Sequence, residues 1–192
     1  MMLCRIAVVM LLLWVVAAAT QAGDEIGQLV RRQPVWIPAG LSWDRDPGEQ
    51  NQDFATGTIL YFGENRTFGI FGGTLLRHGK RLALSEGEGR NVYSGIWTMN
   101  GGEIQIDYRL VDSYKAIRPK GEKPPEIPGP LKHDSIVLRG SNHGNVSESR
   151  QLQFQGINYE AAPGFRASEL RHILESVDRT GPGRKNDEPI QH

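Results

Sequence analysis

Between Asn91 and Val111 two runs of alternating side chains flank Asn100-Gly101, and a chain with this pattern has little choice but to form a β-hairpin there. Asn and Gly accept the positive φ angles of a two-residue type I′ turn. A turn centred on them sets Trp97 opposite Ile104, Gly95 opposite Ile106 and Tyr93 opposite Tyr108, with Thr98, Ser94 and Val92 facing Glu103, Asp107 and Arg109 on the other side. One face is apolar and aromatic, the other largely polar. A slip of the turn to Gly101-Gly102 re-pairs Trp97 with Ile106 but keeps both on the same face, because side chains repeat every two residues along a strand. A two-sided strand pair of this kind belongs to a small antiparallel barrel or sandwich.

Neighbouring segments repeat the theme. Thr58 to Phe62 and Thr67 to Phe71 flank a turn centred on Glu64-Asn65, which predicts Tyr61 against Phe68 and Ile59 against Ile70. His78-Gly79 divides Thr74–Arg77 from Lys80–Ser85 and sets Leu75 against Leu82 and Gly73 against Leu84. Further strands are expected at Asp134–Arg139, Arg150–Gln155 and Ile157–Glu160. Sequential strands with short turns favour an up-and-down meander, and about eight strands suffice to close a barrel and abolish its edges. Leu170, Ile173, Leu174 and Val177 then follow the i, i+3, i+4, i+7 spacing of one amphipathic helix, which accounts for an exterior helix packed on the barrel. The expected fold is therefore mainly β, an antiparallel up-and-down barrel of about eight strands with one C-terminal amphipathic helix.

The segments outside the strands set the domain plan. Arg5, the apolar run Ile6–Ala19 and the small residues near Ala22 read as a secretory signal over residues 1–22. That run has 14 residues, short of the roughly 20 a membrane-spanning helix needs. Residues 23–56, with Pro34, Pro38 and Pro47 among scattered charges, read as an irregular N-terminal arm whose Trp36 and Trp43 dock against the barrel or plug its mouth. Residues 57–177 form the barrel domain with its helix, and 178–192 a disordered tail. Five prolines between Asp112 and His133 make a long extended loop, either a connector or a lid that contacts a partner.

Composition removes several classes of function. Loss of the signal takes Cys4, the single cysteine, so an exported chain has neither a disulfide framework nor thiolate chemistry. It also takes Arg5, leaving 21 basic residues against 22 acidic. Nucleic acid, which selects a basic face, is not an expected partner. The five histidines show no metal-ligand spacing, so neither metal nor cofactor is expected. Asp44-Arg45-Asp46-Pro47-Gly48-Glu49 misplaces the glycine of a calcium loop, and no nucleophile elbow occurs. Asn65-Arg66-Thr67 and Asn145-Val146-Ser147 fit the glycosylation sequon in predicted loops. With no catalytic motif, the chain reads as a non-enzyme.

What remains is the apolar face itself: Ile59, Tyr61, Phe68, Ile70, Leu75, Leu82, Leu84, Tyr93, Trp97, Ile104, Ile106 and Tyr108. An eight-stranded barrel either just fills its interior or holds one small ligand. If a ligand is held, Tyr61, Phe68, Tyr93, Trp97 and Tyr108 are the candidates for its lining, since amphipathic rings pack an apolar molecule and still hydrogen-bond it.

Gly95-Ile96-Trp97 resembles the G-x-W element of lipocalin-like (calycin-type) barrels, and Tyr61-Phe62-Gly63-Glu64-Asn65-Arg66-Thr67-Phe68 is similar to the hairpins of small exported bacterial envelope proteins. The resemblance spans residues 57–160. In lipocalins the motif opens the first strand, whereas here it sits mid-chain. It implies a β-barrel and a small apolar ligand in the lumen. The expected setting is the periplasm or extracellular space, with no membrane span after signal cleavage. The rival expectation is a structural or protein-interaction module of the envelope, with the proline-rich loop 112–133 as its contact surface.

Overall fold

A computed structural model describes residues 25–45, 51–85, 90–100, 102–113, 125–139 and 150–180, with side chains described as far as 177. The expected signal, residues 46–50, residues 114–124 of the proline-rich loop, the sequon at Asn145 and residues 181–192 lie outside the described residues. A helix α1 (25–32) leads into β1 (Val35–Pro38), β2 (Asp44–Arg45), β3 (Gln52–Phe62), β4 (Thr67–His78) and β5 (Arg81–Leu84). Then come β6 (Asn91–Asn100), β7 (Glu103–Ser113), β8 (Lys132–Arg139), β9 (Gln151–Phe154), β10 (Ile157–Ala161) and helix α2 (Ala167–Thr180).

The strands run β3-β1-β10-β9-β8-β7-β6-β4, and β4 pairs back onto β3, so eight antiparallel strands close into a barrel. Gln52–Thr56 and Thr74–His78, the far half of the β3–β4 hairpin, run on past it and take β2 and β5 as outer neighbours. Among its described residues the arm expected to be irregular is therefore mostly regular. Its β1 completes the barrel between β3 and β10, and its last residues open β3. The local signal was weak because β1 is four residues long and ends at Pro38, while the described part of α1, 25–32, offers only about two turns in which a period can show.

Strand register explains how one expected face became two. In the β6–β7 hairpin Trp97 pairs with Ile106 and Asn100 with Glu103, the alternative register of the two, and Gly102 takes φ 90°. The inward side of that hairpin survives. The β3–β4 turn differs: Asn65 and Arg66 both take positive φ, Gly63 N–H donates to the Thr67 carbonyl, and Phe62 pairs with Phe68. One residue more in the turn reverses every side chain of β3. Leu60 and Phe62 point inward, while Ile59 and Tyr61 point out. Leu75 lies outside because β4 runs unbroken through Gly72-Gly73, and Leu82 and Leu84 follow it, with Leu75 opposite Leu84 rather than Leu82.

Two cores result, one on each side of the barrel wall. The lumen holds Trp36, Leu60, Phe62, Phe68, Ile70, Trp97, Ile104, Ile106, Tyr108, Ile136, Leu152, Phe154 and Tyr159, together with Ile26 and Val30 of α1. The outer core lies between the wall and α2, where Leu170 and Leu174 meet Val35, Ile59, Tyr61 and Phe71. Helix α2 ends at Thr180, three residues into the stretch expected to be tail.

Helix α1 is anchored by the lumen. Its apolar side is taken up by the barrel, and such packing supplies most of a helix's stability. Ile26 and Val30 are fully buried, worth roughly 1.5–3 kcal/mol each. Its position follows from three neighbours: Gly27 lies against Met99, Glu25 pairs with Arg150 at the start of β9, and the chain enters β1 at Val35 opposite Tyr61. All three lie where β3, β6 and β8 end, so α1 closes that end of the barrel.

Candidate functional site at the open end of the barrel

At the opposite end, polar side chains enter the inward rows. The pairing of Tyr108 with Lys132 and of Ile106 with Asp134 brings β7 and β8 together, and the two-residue period puts Lys132, Asp134 and Ile136 in one inward line. Gln155 and Gly156 link β9 to β10 with φ of 49° and 79°, a tight turn that carries the Gln155 amide over the rim. The Tyr108 hydroxyl donates to Asp134 Oδ2 at 2.7 Å. Gln155 Nε2 lies 2.9 Å from the same oxygen and 3.0 Å from the Tyr108 hydroxyl. The Lys132 ammonium stands 5.3 Å from the Tyr93 ring centre and 6.0 Å from that of Tyr108, within reach of both ring faces.

Below this cluster the rings pack edge-on. Tyr93 and Tyr108 are 5.9 Å apart at 72°, Phe68 and Tyr108 6.2 Å, and Tyr108 and Phe154 6.3 Å. Burial first, then the hydrogen bond and charge of Asp134, push the Tyr108 hydroxyl well above the ordinary tyrosine range. It is held neutral as a donor, which is the opposite of what a base or nucleophile at neutral pH requires. Deeper in the lumen, burial alone pushes Tyr159 up to about 12. The arrangement can bind: an aromatic floor, a cation, and a carboxylate already engaged by two donors.

Of the five lining candidates, Phe68, Tyr93, Trp97 and Tyr108 lie in or on the lumen core, and they touch one another or a neighbouring ring, as Trp97 does Phe62 at 6.1 Å. Tyr93 is half-buried at the open end. Tyr61 is corrected to the outer face, where it is buried in the core beneath α2, because the three-residue turn reverses β3. Lys132, Asp134 and Gln155 were missed. Their signal was the alternation Lys132, Asp134, Ile136, Leu138, which puts charge in line with apolar inward positions once faces are assigned. Gln155 reaches them only through the turn.

Gly95 of the G-x-W run has a physical reason to be glycine: a Cβ there would sit 2.0 Å from the Asp107 carbonyl oxygen. The same run in a closed antiparallel barrel is compatible with the lipocalin-like resemblance at the level of the fold. No family model, no curated protein and no solved structure matches this chain. Among the described residues no three His, Cys, Asp or Glu side chains gather as metal ligands, and no helix is long and apolar enough to cross a membrane.

Proposed function

We propose that this protein is an exported, non-enzymatic binding protein that takes a small, largely apolar ligand at the open end of its barrel. The observation that carries the reading is the convergence of Tyr93, Tyr108, Lys132, Asp134 and Gln155 at the end α1 does not close. The ligand's apolar body rests on the half-buried Tyr93 and the exposed rim residue Ile157, and its polar end meets Lys132 and Gln155. A site of this composition fixes orientation with a few polar groups on an apolar floor. This departs from a ligand deep in the lumen, where ring packs against ring.

The test is a fluorescence titration with anilinonaphthalene sulfonate, an apolar dye with one anionic group. Tyr93→Ala and Lys132→Ala should each weaken uptake by about tenfold, the loss of roughly 1.4 kcal/mol. No uptake by the unaltered protein would sink the reading. Export, to the periplasm or beyond the cell, rests on the apolar leader and is checked by N-terminal sequencing of protein from the envelope fraction, with a start near Gly23 expected.

One observation favours the rival reading as an envelope interaction module. The return of the proline-rich loop lies at this same end, held by Gly129 N–H to the Leu110 carbonyl at 2.9 Å, and it leaves Ile127 39% and Leu131 58% exposed. Recovery of an envelope partner that is lost on Leu131→Ser, with dye uptake unchanged, would favour that module.

A further inference from the structure

The closed end of the lumen holds an unmet hydrogen-bond donor. Trp97 is 3% exposed, and its indole Nε1–H has no acceptor. Two other ring donors of the lumen are met: Trp36 Nε1 donates to the Gln33 carbonyl at 2.6 Å, and the Tyr108 hydroxyl to Asp134. A buried N–H without a partner is uncommon and costly, so it marks a place where a partner belongs. Around it the inward side chains, Phe62, Met99 and Ile106 among them, are apolar.

What fills this end is α1, and it is built as a separable piece. It presents Ile26, Leu29 and Val30 to the lumen, while Gln28, Arg31 and Arg32 are exposed. Among the described residues its polar side-chain tie to the wall is the part-exposed ion pair of Glu25 with Arg150. The barrel ladder begins only at Pro34, whose carbonyl accepts from Phe62 N–H at 2.8 Å, so 25–32 can swing away about Gln33 without breaking a strand pair.

We propose that α1 is a displaceable stopper, and that the space it occupies binds a small apolar molecule carrying one hydrogen-bond acceptor, which takes the Trp97 indole N–H. The molecule replaces Ile26 and Val30 in apolar contact and supplies the acceptor that the helix does not. A ketone or ester of moderate chain length has this chemistry; a plain hydrocarbon lacks the acceptor. The site is at the opposite end from the mouth and does not depend on the mouth being occupied.

The experiment locks the stopper. A Cβ on Gly27 lies 3.8 Å from Met99 Cγ, within reach of a disulfide, and Cys4→Ser leaves no other thiol. In isotope-labelled full-length protein carrying Cys4→Ser, Gly27→Cys and Met99→Cys, the indole N–H resonance of Trp97, assigned by its loss in Trp97→Phe, is followed during addition of nonanone or nonane. Nonanone should shift it in the reduced protein and not in the oxidised one. It should bind about tenfold more tightly than nonane, a preference that Trp97→Phe abolishes. Equal binding by oxidised and reduced protein, or an unmoved Trp97 resonance in both the unaltered and the reduced protein, overturns the proposal. The dye titration scores the mouth separately, so failure of either reading leaves the other standing.

Discussion

The two ends of this barrel are finished in different ways. One is stopped by a helix that supplies hydrocarbon alone, and a donor is left unmet; the other carries a lysine, a carboxylate, an amide and two tyrosine hydroxyls on a floor of rings. The inward rows are the same β-strands at both ends. The difference lies in what each row meets where it leaves the barrel: α1 at one end, solvent and the returning loop at the other. An end sealed against water must be apolar, because an unpaired buried polar group is expensive. An end open to water can hold charge at little cost.

The waist between them is the harshest place to intervene. Gly95→Ala drives a methyl group into the Asp107 carbonyl, and should cost about 3 kcal/mol or more and lower both ends together, read from the urea midpoint. A mild effect would mean that β6 and β7 yield there and the ends are independent. Ile26→Ala comes next, at about 3 kcal/mol for a fully buried side chain. A loss under about 1 kcal/mol would show α1 lightly seated, and would sharpen the contrast between a stopper and a wall.

The open end should answer to hydrogen bonding and pH instead. Tyr108→Phe removes one of two donors to Asp134, for about 1–2 kcal/mol. Both Tyr108 and Tyr159 hold their protons above the ordinary tyrosine range when folded, so the unfolded chain ionises first. Stability from these groups is therefore fully present below pH ~10 and declines as pH rises towards 12, by at most about 1.4 kcal/mol per unit for each. Denaturation midpoints at stepped pH check this, and Tyr159→Phe should flatten the decline. Last and smallest is Glu25→Gln, which breaks a part-exposed ion pair and should cost about 0.5 kcal/mol, seen as faster hydrogen exchange confined to α1.

The β6–β7 face was legible because its turn is short and glycine-bearing, and because either candidate register leaves Trp97 and Ile106 on one side. The amphipathic helix was legible from four apolar residues at helical spacing, of which Leu170 and Leu174 are buried. Tyr61 was misplaced by a single residue in the 64–66 turn: Asn65 accepts a positive φ readily, but nothing in the composition announces the second positive φ at Arg66 that lengthens the turn. Trp36 entered the lumen through a four-residue strand whose partners, at Leu60 and Ala161, are distant in sequence. The mouth cluster draws Tyr108, Asp134 and Gln155 from three different segments, so its assembly was invisible until β7, β8 and the β9–β10 turn were side by side.

What the sequence by itself determined is the local alternation: which stretches are strands, that they follow one another with short turns, and that one helix covers them. Those properties depend on neighbours one to four positions apart. The tertiary structure alone decided which face of β3 looks inward, that the N-terminal arm closes the barrel as β1 and stops it as α1, and that the two ends are finished differently. Each of these is a long-range pairing, and a strand's side chains are committed to lumen or exterior only when its partner's register is set.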